Sequence, residues 1–470
     1  MAEIDLRPER DPRVFRYGFA CFAETTPTDR TLVRDWSTLR LHGHVLAVHP
    51  DAEVRVVPTP AGTCAVIGEV FVAHGSEGLD EVLARHVTTG DWEAIDRLSG
   101  RFALLVFTGS SVRVLNDPIG SRTVYYTLRG PAVVGSHAAL VAGLAGVGLD
   151  GETSRYMAAP EYRARRTRYL PGDLTRYRHV VTLVPNSVLD LGTRRTQRYW
   201  PRVAPGETTF ADVFELVDEY FKAYATFLSA RYTPVVGATG GSDCRTLLAG
   251  LVAHGVAPRL VTWPGLPPAE VATVERMVAH LGLPHTVVDD PDVRDPQVAE
   301  VMSISALNTG HTRGRPRIPA MLAPHVEVTD VFVRGYGGEV MRGSWNSAFV
   351  PSNGDGLAGM IRQFYTRAVR EPSTGDQAFT RSAFEGFAAR GHVEPENPPY
   401  DLGDLHYLEQ RMAVWAAVVM GEADTVMRTH AGLNSRPIYL ASMALPDEER
   451  FDKQLMFRIV AEYDQRLAAL

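Results

Sequence analysis

Residues 235–245 constrain the fold more than any other stretch of this chain. They read Val-Val-Gly-Ala-Thr-Gly-Gly-Ser-Asp-Cys-Arg, a short apolar run that ends in a turn with two adjacent glycines. Apolar residues at helical spacing follow at once, between Leu247 and Val252. The pattern predicts a buried strand, a glycine turn and a helix. Glycines let a ligand approach the backbone closely, and the free N–H groups at a helix start favour an anion.

The turn itself has two interpretations, an anion-binding loop or an ordinary glycine-rich connection. Its small polar residues supply hydroxyl and thiol groups, and Asp243 could hold a cation that bridges phosphates. The turn lacks the Gly-Lys-Ser/Thr of a Walker loop and the G-x-G-x-x-G of a dinucleotide fingerprint. The candidate anion-binding residues are Thr239, Gly240, Gly241, Ser242, Asp243 and Cys244.

From about residue 206 onward, helical and strand patterns alternate, which predicts a doubly wound parallel sheet. In the common strand order 3-2-1-4-5, the first and fourth strands are neighbours, and ligands sit beyond the carboxyl ends of the strands at that switch point. The loops after these two strands would therefore face each other. The predicted strands are 234–238, 259–263, 285–288 and 326–333, and the predicted helices are 210–228 and 269–281.

The loop after the fourth predicted strand is a second glycine-rich turn. Residues 334–339 read Arg-Gly-Tyr-Gly-Gly-Glu, so one carboxylate, Glu339, is delivered opposite the first loop. Asp243 and Glu339 together could hold one or two Mg²⁺ ions on a triphosphate. The alternative is a plain surface turn, which the position of both loops at predicted strand ends disfavours.

Composition excludes several classes of protein. The 470 residues carry a net charge of −7, so we expect no general attraction to nucleic acid. The N-terminus is charged and lacks a signal-peptide core, and no run of about 18 apolar residues exists to span a membrane. Three cysteines, none in a metal-type pair, argue against a disulfide framework. We expect a cytoplasmic protein without membrane or nucleic-acid partners; the sequence does not fix its oligomeric state, and a homodimer is compatible with it.

The two loops resemble those of the asparagine synthetase superfamily, which includes β-lactam synthetases and lasso peptide cyclases. The first is similar to their Ser-Gly-Gly-x-Asp-Ser pyrophosphate loop, with Thr239 and Cys244 in place of the two serines. The second is similar to their Ser-Gly-x-Gly-Ser-Asp turn, with Glu339 in place of the metal-binding aspartate. Asparagine synthetases carry Glu at the x position and β-lactam synthetases carry Tyr, as here in Tyr336. The resemblance implies ATP and Mg²⁺ as cofactors.

Residues 1–150 are β-rich, with a predicted hairpin around 108–110, and they also have a family likeness. Segments 67–69, 98–103, 116–126 and 134–136 follow the order seen in the class II glutamine amidotransferase domain of asparagine synthetases. The resemblance implies an Ntn-hydrolase-like αββα domain that reaches residue 205 with its bridging hairpin, followed by an adenine-nucleotide α-hydrolase-like (PP-loop) ATP-pyrophosphatase domain over 206–470. Such a glutaminase needs an N-terminal cysteine.

The N-terminal nucleophile is missing from this sequence. The chain begins Met1-Ala2, and Cys21 lies in a predicted strand and would become N-terminal only after removal of 20 residues. We therefore expect a domain that keeps the glutaminase fold without hydrolysing glutamine, as in β-lactam synthetases.

The resemblance also implies catalytic residues. In β-lactam synthetases a dyad of this Tyr with a later Glu deprotonates the attacking amine; a tyrosine of pKa about 10 needs such a partner near neutral pH. Glu409 is the preferred candidate, Glu422 and Glu371 are rivals, and a surface role for Glu409 is the alternative. Lys453 falls on the catalytic lysine, which neutralises charge on pyrophosphate and on the tetrahedral intermediate.

Lysine usage makes Lys453 stand out further. Of 48 basic residues only Lys222 and Lys453 are lysines. A lysine kept in so arginine-rich a chain suggests a position that arginine does not serve equally well, although chance also leaves one or two. Adenosine contacts, mostly from backbone groups in this superfamily, map to Ala238, Trp263, Pro264, Arg334 and Gly335.

The function that the resemblance implies is ATP-dependent amide formation. A small-molecule or peptide carboxylate is adenylated with release of pyrophosphate, and an amine displaces AMP. Tyr336 and the missing cysteine favour a substrate amine, intramolecular as in β-lactam synthetase, in a natural-product pathway such as antibiotic biosynthesis. Three alternatives stay open: an ammonia- or intermolecular-amine-dependent enzyme, a non-catalytic nucleotide- or partner-binding protein, and adenylation for sulfur transfer, which needs an essential cysteine such as Cys244.

Overall fold

The computed structural model describes residues 11–165, 167–314, 316–343, 356–368, 373–392 and 400–470. The first half holds two antiparallel sheets and the second half one parallel sheet. The strands of the first half are β1 (Phe19–Ala23), β2 (Ser37–Leu41), β3 (His44–Val48), β4 (Val54–Thr59), β5 (Gly62–Val72), β6 (Leu98–Thr108), β7 (Ser111–Asn116), β8 (Tyr125–Thr127), β9 (Val133–Gly135), β10 (Val180–Thr182), β11 (Ser187–Asp190) and β12 (Arg195–Arg198). Those of the second half are β13 (Thr233–Gly237), β14 (Arg259–Thr262), β15 (His285–Val287), β16 (Asp330–Arg334) and β17 (Arg428–Ala431).

Helices cover the sheets and fill the C-terminal third. The α-helices are α1 (Leu79–Thr89), α2 (Trp92–Asp96), α3 (Ala138–Leu144), α4 (Gly151–Ala158), α5 (Pro160–Arg163), α6 (Phe210–Ser229), α7 (Ser242–Ala253), α8 (Pro268–Leu281), α9 (Pro296–Asn308), α10 (Ile318–Leu322), α11 (Gly338–Met341), α12 (Gly356–Ala368), α13 (Thr374–Phe387), α14 (Leu402–His406), α15 (Ala417–Ala423), α16 (Arg436–Ala444), α17 (Asp447–Arg450), α18 (Gln454–Tyr463) and α19 (Gln465–Ala468). Short 3₁₀ turns lie at Arg30–Val33 and Ala323–His325, and π-helical turns at Ala388–His392 and Tyr407–Ala416.

The two antiparallel sheets pack face to face. Their strand orders are β10-β8-β9-β1-β3-β2 and β12-β11-β7-β6-β5-β4, and their inner faces share one buried apolar cluster that includes Cys21, Leu46, Ile67 and Leu105. The outer face of the first sheet packs against α3, and that of the second against α1, α2 and α6. The layers are those of an αββα arrangement, and the kinship with Ntn hydrolases stays a prediction.

The predicted hairpin is confirmed. β6 and β7 pair antiparallel through Thr108 and Ser111, which leaves a two-residue turn at 109–110. Gly109 has φ = 56°, a left-handed conformation that glycine adopts at little cost in a hairpin turn of this length.

The parallel sheet has the order β15-β14-β13-β16-β17, which is the predicted order 3-2-1-4-5, with β17 in the fifth place, for which no residues were predicted. β16 begins at Asp330, four residues later than predicted. A 3₁₀ turn precedes it, and the Glu327 N–H donates to the Asp330 carboxylate at 2.7 Å, so the chain is still turning at 326–329. β17 pairs with β16 in parallel and was not predicted.

A buried polar interface joins the two halves. The Arg101 guanidinium from β6 binds the Asp424 carboxylate (2.7 Å for one of its two bonds), and Glu69 from β5 pairs with Arg428 of β17. Asn434 donates to the Gly100 carbonyl and to Asp117. The predicted domain boundary at residues 205/206 remains a prediction, because one apolar cluster continues across both halves.

Across the described part of the chain, no helix has the length and apolar character needed to cross a lipid bilayer.

Candidate nucleotide site

Two glycine-rich loops meet at the carboxyl ends of the neighbouring strands β13 and β16. A Cβ atom on Gly335 would lie 2.8 Å from the Asp243 backbone, and one on Gly338 would lie 2.8 Å from the Asp243 carboxylate. Only residues without a side chain fit at this separation. The prediction that the two loops face each other is therefore confirmed, and they lie at the switch point of the sheet.

The first loop leads directly into α7 and leaves the start of that helix uncapped by a side chain. Gly241 is the N-cap residue and has an extended backbone conformation. Because it is a glycine, it has no side-chain oxygen to accept a hydrogen bond from the helix. The first N–H groups of a 12-residue helix thus lack the partner that Ser, Thr or Asp usually provides. Asp243 lies in the first turn and Ser242 is buried beside it. This geometry suits an anion at the helix start.

Asp243, Arg342 and Glu339 form a compact charged group between the loops. The Arg342 Nε and Nη2 atoms donate to the two Asp243 carboxylate oxygens at 2.9 and 3.0 Å, a bidentate pair. Burial and the Asp243 charge raise the pKa of Glu339 to about 7. Arg342 thus lies near both Asp243 and Glu339, and the surroundings of Glu339 disfavour its charged form.

The residues fit a magnesium ion carried by a nucleotide. The described residues contain no cluster of three or more metal-ligating side chains. Mg²⁺ bound with ATP needs only one or two protein carboxylates, because the phosphates and water supply the other ligands. Asp243 and Glu339 provide that pair, and a cation there would relieve their repulsion. Arg342, which already neutralises Asp243, was not assigned a role from the sequence.

The second loop is held from below by buried groups. Gly337 has φ = 102°, and a Cβ atom at this position would collide with the Leu433 carbonyl. The loop therefore accepts only glycine here. Arg450 donates to the Val340 carbonyl at 2.6 Å and to the Met341 carbonyl at 2.7 Å. These bonds anchor the short helix α11, which carries Glu339.

Tyr336 lies buried between charged and aromatic neighbours. The Arg334 guanidinium stands 4.9 Å from the centre of its ring, and the Trp415 ring lies edge-on at 5.7 Å. Burial raises the pKa of Tyr336; Glu339 and Glu422 add to this effect, and Arg334 opposes it. A phenol in this setting needs a base beside it to act as a proton acceptor.

The structure describes two of the three candidate partners of Tyr336. Glu409, the preferred candidate, is buried and pairs with Arg198 at 2.6 Å, so its carboxylate is engaged with strand β12. Glu422 is buried on α15, pairs with Arg313 at 2.6 Å, and raises the pKa of Tyr336. Glu371 lies outside the described residues. Both described acids are thus engaged by an arginine at the same distance, and the acid that partners Tyr336 stays a prediction.

Lys453 stands at the N-terminus of α18, with its side chain exposed. α18 packs against α7, and the Thr246 hydroxyl of α7 donates to the Met456 carbonyl at 3.4 Å. The Met456 side chain lies 3.0 Å from the place that a Cβ atom on Gly338 would take. The helix that follows Lys453 thus packs against α7, which continues the first loop, and against the second loop.

The predicted adenosine positions surround the edge of the first loop. The Ala238 N–H bonds to the Val261 carbonyl at 2.8 Å, so this donor belongs to the sheet. The Trp263 ring covers Gly237 and lies 5.5 Å below the Arg334 guanidinium, and Pro264 is exposed in the next turn. The Trp263 ring and the Arg334 guanidinium are planar groups that could stack against an adenine ring. The Ala238 N–H, in contrast, is already bonded to the Val261 carbonyl within the sheet.

The cysteines are poorly suited to act as nucleophiles. Cys21 is in the middle of β1 and fully buried, and burial raises the pKa of its thiol. Burial also raises the pKa of Cys244 to about 11, and its thiol contacts the Gly237 carbonyl at 3.6 Å. A thiolate is the reactive form of cysteine, and burial disfavours that form at both positions.

Comparison with known proteins identifies no family for this chain. No protein-family model matches it, and no curated protein matches its sequence.

Among solved structures, three similarities are of low quality. Glutamine-dependent NAD+ synthetase from Acinetobacter baumannii, solved with ADP, is 12% identical, with a TM-score of 0.16 over 36% of this chain and 40% of its own. Glutamine phosphoribosylpyrophosphate amidotransferase from B. subtilis, solved with ADP and GMP, is 12% identical, with a TM-score of 0.24 over 72% and 74%. NMN synthetase from Francisella tularensis is 8% identical, with a TM-score of 0.21 over 55% and 94%. Scores this low carry no weight for fold or activity, so the site is interpreted from its own geometry.

Proposed function

We propose that this protein is an ATP-dependent, AMP-forming amide synthetase. The observation that carries the proposal is the meeting of two glycine loops at the switch point, where the uncapped start of α7 lies beside Asp243 and Glu339. This arrangement offers backbone donors to phosphate and carboxylates to a phosphate-bound cation in one place. A free carboxylate has a poor leaving group, so amide formation requires prior activation such as adenylation.

The residues divide the work of activation. The α7 start and the Thr239–Ser242 backbone would bind the pyrophosphate, with Trp263 and Arg334 against the adenosine. Asp243 and Glu339 would hold Mg²⁺, which neutralises phosphate charge when bound. Lys453 would reach the departing pyrophosphate and stabilise its charge, a contribution of about 3–4 kcal/mol for a preplaced group of this kind.

Tyr336 and Glu422 are proposed to serve the amine. Proton transfer from an attacking ammonium needs a base, and the charge of Glu422 adds to the effect of burial in raising the pKa of the Tyr336 phenol. We propose that the nitrogen comes from a substrate amine rather than glutamine, because Cys21 is buried in β1 and cannot act as a nucleophile there. An intramolecular amine, as in β-lactam synthetases, and a natural-product pathway are the finer parts of this proposal; ammonia or an intermolecular amine is the alternative.

A second candidate function is non-catalytic nucleotide binding. The observation that favours it is the bidentate pair of Arg342 with Asp243, which occupies both oxygens of the first metal ligand. In this alternative Arg342 takes the place of the metal and no AMP is formed.

Calorimetric binding of Mg–ATP to the wild type and to Asp243→Asn tests the site. We expect at least a tenfold weaker affinity in the variant, and unchanged affinity in the control Asp292→Asn, an exposed aspartate paired with Arg294. Binding that survives Asp243→Asn would contradict the proposed site. If Asp243→Asn weakens binding as expected, a screen of carboxylates for release of AMP and pyrophosphate distinguishes the two functions. Only the synthetase forms both products.

A further inference from the structure

Two surface grooves lie end to end along the exposed side of α6. Each has a volume of about 580 Å³, and Glu219 and Lys222 line both of them. The first groove follows the N-terminal half of α6 and reaches Glu462 of α18. The second groove follows the C-terminal half of α6 and reaches Phe71 of β5. Together the two grooves form one surface along the whole length of the helix.

The two grooves carry opposite charge. Four acids and one lysine line the first groove, whereas one acid, one lysine and one arginine line the second. The acids of the first groove are Glu215, Asp218, Glu219 and Glu462. In the second groove Arg231 is already paired with Glu53, so Lys222 is the cation that an acid of a partner would meet. The first groove of one molecule is therefore complementary in charge to the second groove of another.

The exposed residues of α6 are arranged symmetrically about the midpoint between Glu219 and Lys222. Six of them follow one another at intervals of three or four, which places them in one stripe along the helix. The stripe consists of Ala211, Glu215, Glu219, Lys222, Thr226 and Ala230. Each has a counterpart in the stripe at the same distance on the other side of the midpoint, and the half-buried Phe214 and Phe227 are related in the same way. Two copies of α6 can thus pack antiparallel about a two-fold axis, with every position opposite its counterpart.

Glu219 is held in position for a contact of this kind. Its carboxylate accepts a hydrogen bond from the Gly75 N–H at 3.0 Å and pairs with the His74 ring at 2.9 Å. The side chain is nevertheless 46% exposed, and a carboxylate has acceptor sites for further donors. A fixed acid loses little conformational entropy when a lysine binds to it.

We propose that the exposed stripe of α6 is the interface of a homodimer with two-fold symmetry. Lys222 of each copy would meet Glu219 of the partner subunit, which gives two equivalent ion pairs at the centre. Phe214 would lie opposite Phe227 of the partner subunit, and the small residues at the two ends of the stripe let the helices approach closely. The proposal does not depend on the synthetase function, because none of these residues belongs to the candidate nucleotide site.

Sedimentation velocity of the full-length protein over a wide range of concentrations tests the interface. We expect the wild type to form a dimer. Lys222→Glu places two acids opposite each other at both central positions, so it should raise the dissociation constant about tenfold or more. The matched control is Arg294→Glu, which makes the same change of charge at an arginine that is 88% exposed in the turn before α9. This control should leave the dissociation constant unchanged.

Complementary variants test the antiparallel pairing itself. Glu219→Lys alone should also dissociate the dimer, since a lysine then meets a lysine. An equimolar mixture of Glu219→Lys and Lys222→Glu should form a heterodimer, because each central pair again joins a lysine and a glutamate. Thr226→Lys is a second measurement that does not depend on the folding of Glu219→Lys. It places a lysine opposite Glu215 of the partner subunit and should lower the dissociation constant about threefold.

Three results would overturn the proposal. A wild type that stays monomeric at every concentration would leave the α6 surface to a different partner. A dimer that responds neither to Lys222→Glu nor to Thr226→Lys would have its interface elsewhere on the molecule. Dissociation by both charge reversals without recovery in the mixture, when both variants are shown to be folded by circular dichroism, would exclude the antiparallel arrangement.

Discussion

Replacing Glu69 with glutamine should destabilise the junction of the two halves in a pH-dependent way. Glu69 is 2% exposed and pairs with Arg428 across the interface. Burial alone would raise the pKa of Glu69, but the charges of Arg122, His430 and Arg428 outweigh it and lower this pKa to about 2. Against an unfolded value of 4.5, this difference is worth about 3 kcal/mol of folding free energy at neutral pH.

The sign of the pH dependence follows from the lowered pKa. The folded state favours the charged carboxylate, so the contribution of Glu69 is fully present above about pH 4.5 and disappears as the pH falls through 2. Glu69→Gln cannot ionise and lacks this contribution at every pH. The variant should therefore be less stable by about 3 kcal/mol at pH 7, and by only about 1 kcal/mol at pH 3.

Urea unfolding, followed by tryptophan fluorescence and by circular dichroism, measures this difference at both pH values. The control is Glu53→Gln, which removes a partly exposed acid paired with Arg231 and should cost less than about 1 kcal/mol. A loss that is the same at pH 7 and pH 3, or one no larger than that of Glu53→Gln, would refute the reasoning.

Three further predictions concern the loops. Gly337→Ala should cost at least about 2 kcal/mol, because the residue has φ = 102° and a Cβ atom would collide with the Leu433 carbonyl, whereas Gly375→Ala in open space should be neutral or stabilising in the same urea assay. Lys453→Ala should leave calorimetric Mg–ATP binding within about threefold but slow AMP formation by about 10²–10³, and equal loss of both would contradict a role confined to the chemical step. Cys244→Ser should keep AMP formation within about threefold, because the thiol is buried and protonated; a complete loss would favour sulfur transfer.

The order of the parallel sheet was predictable because its signals are local and repeated. Short strands with apolar residues at their centres alternate with amphipathic helices, and right-handed crossovers leave few arrangements to choose from. β17 escaped prediction because Arg428–Ala431 reads Arg-Thr-His-Ala, with no apolar alternation. Its Arg428 side chain pairs with Glu69, which lies far away in the sequence and which no local pattern connects to this strand.

The loops of the candidate site were also predictable, since glycine, small polar residues and a carboxylate follow each strand end. Their ion pairs were not. Spacing along the chain could not show that Glu409 pairs with Arg198, or that Arg342 reaches Asp243. The arginine-rich composition hid the buried arginines as well, because Arg411 and Arg450 look like surface residues in a chain with 46 arginines. Such pairings depend on tertiary distance rather than on periodicity.

Residues 433–436 link the two halves through a single short segment. The Leu433 carbonyl lies against Gly337 in the second loop. The side-chain oxygen of the next residue, Asn434, accepts a hydrogen bond from the Ile119 N–H at 3.1 Å. Arg436 reaches Asn186 at 2.9 Å. A chain shortened to residues 206–470 would lose these contacts to Asn434 and Arg436. Leu433, which supports the second loop, would then be held less firmly in place. The first half thus helps to position the second loop through the contacts of Asn434 and Arg436.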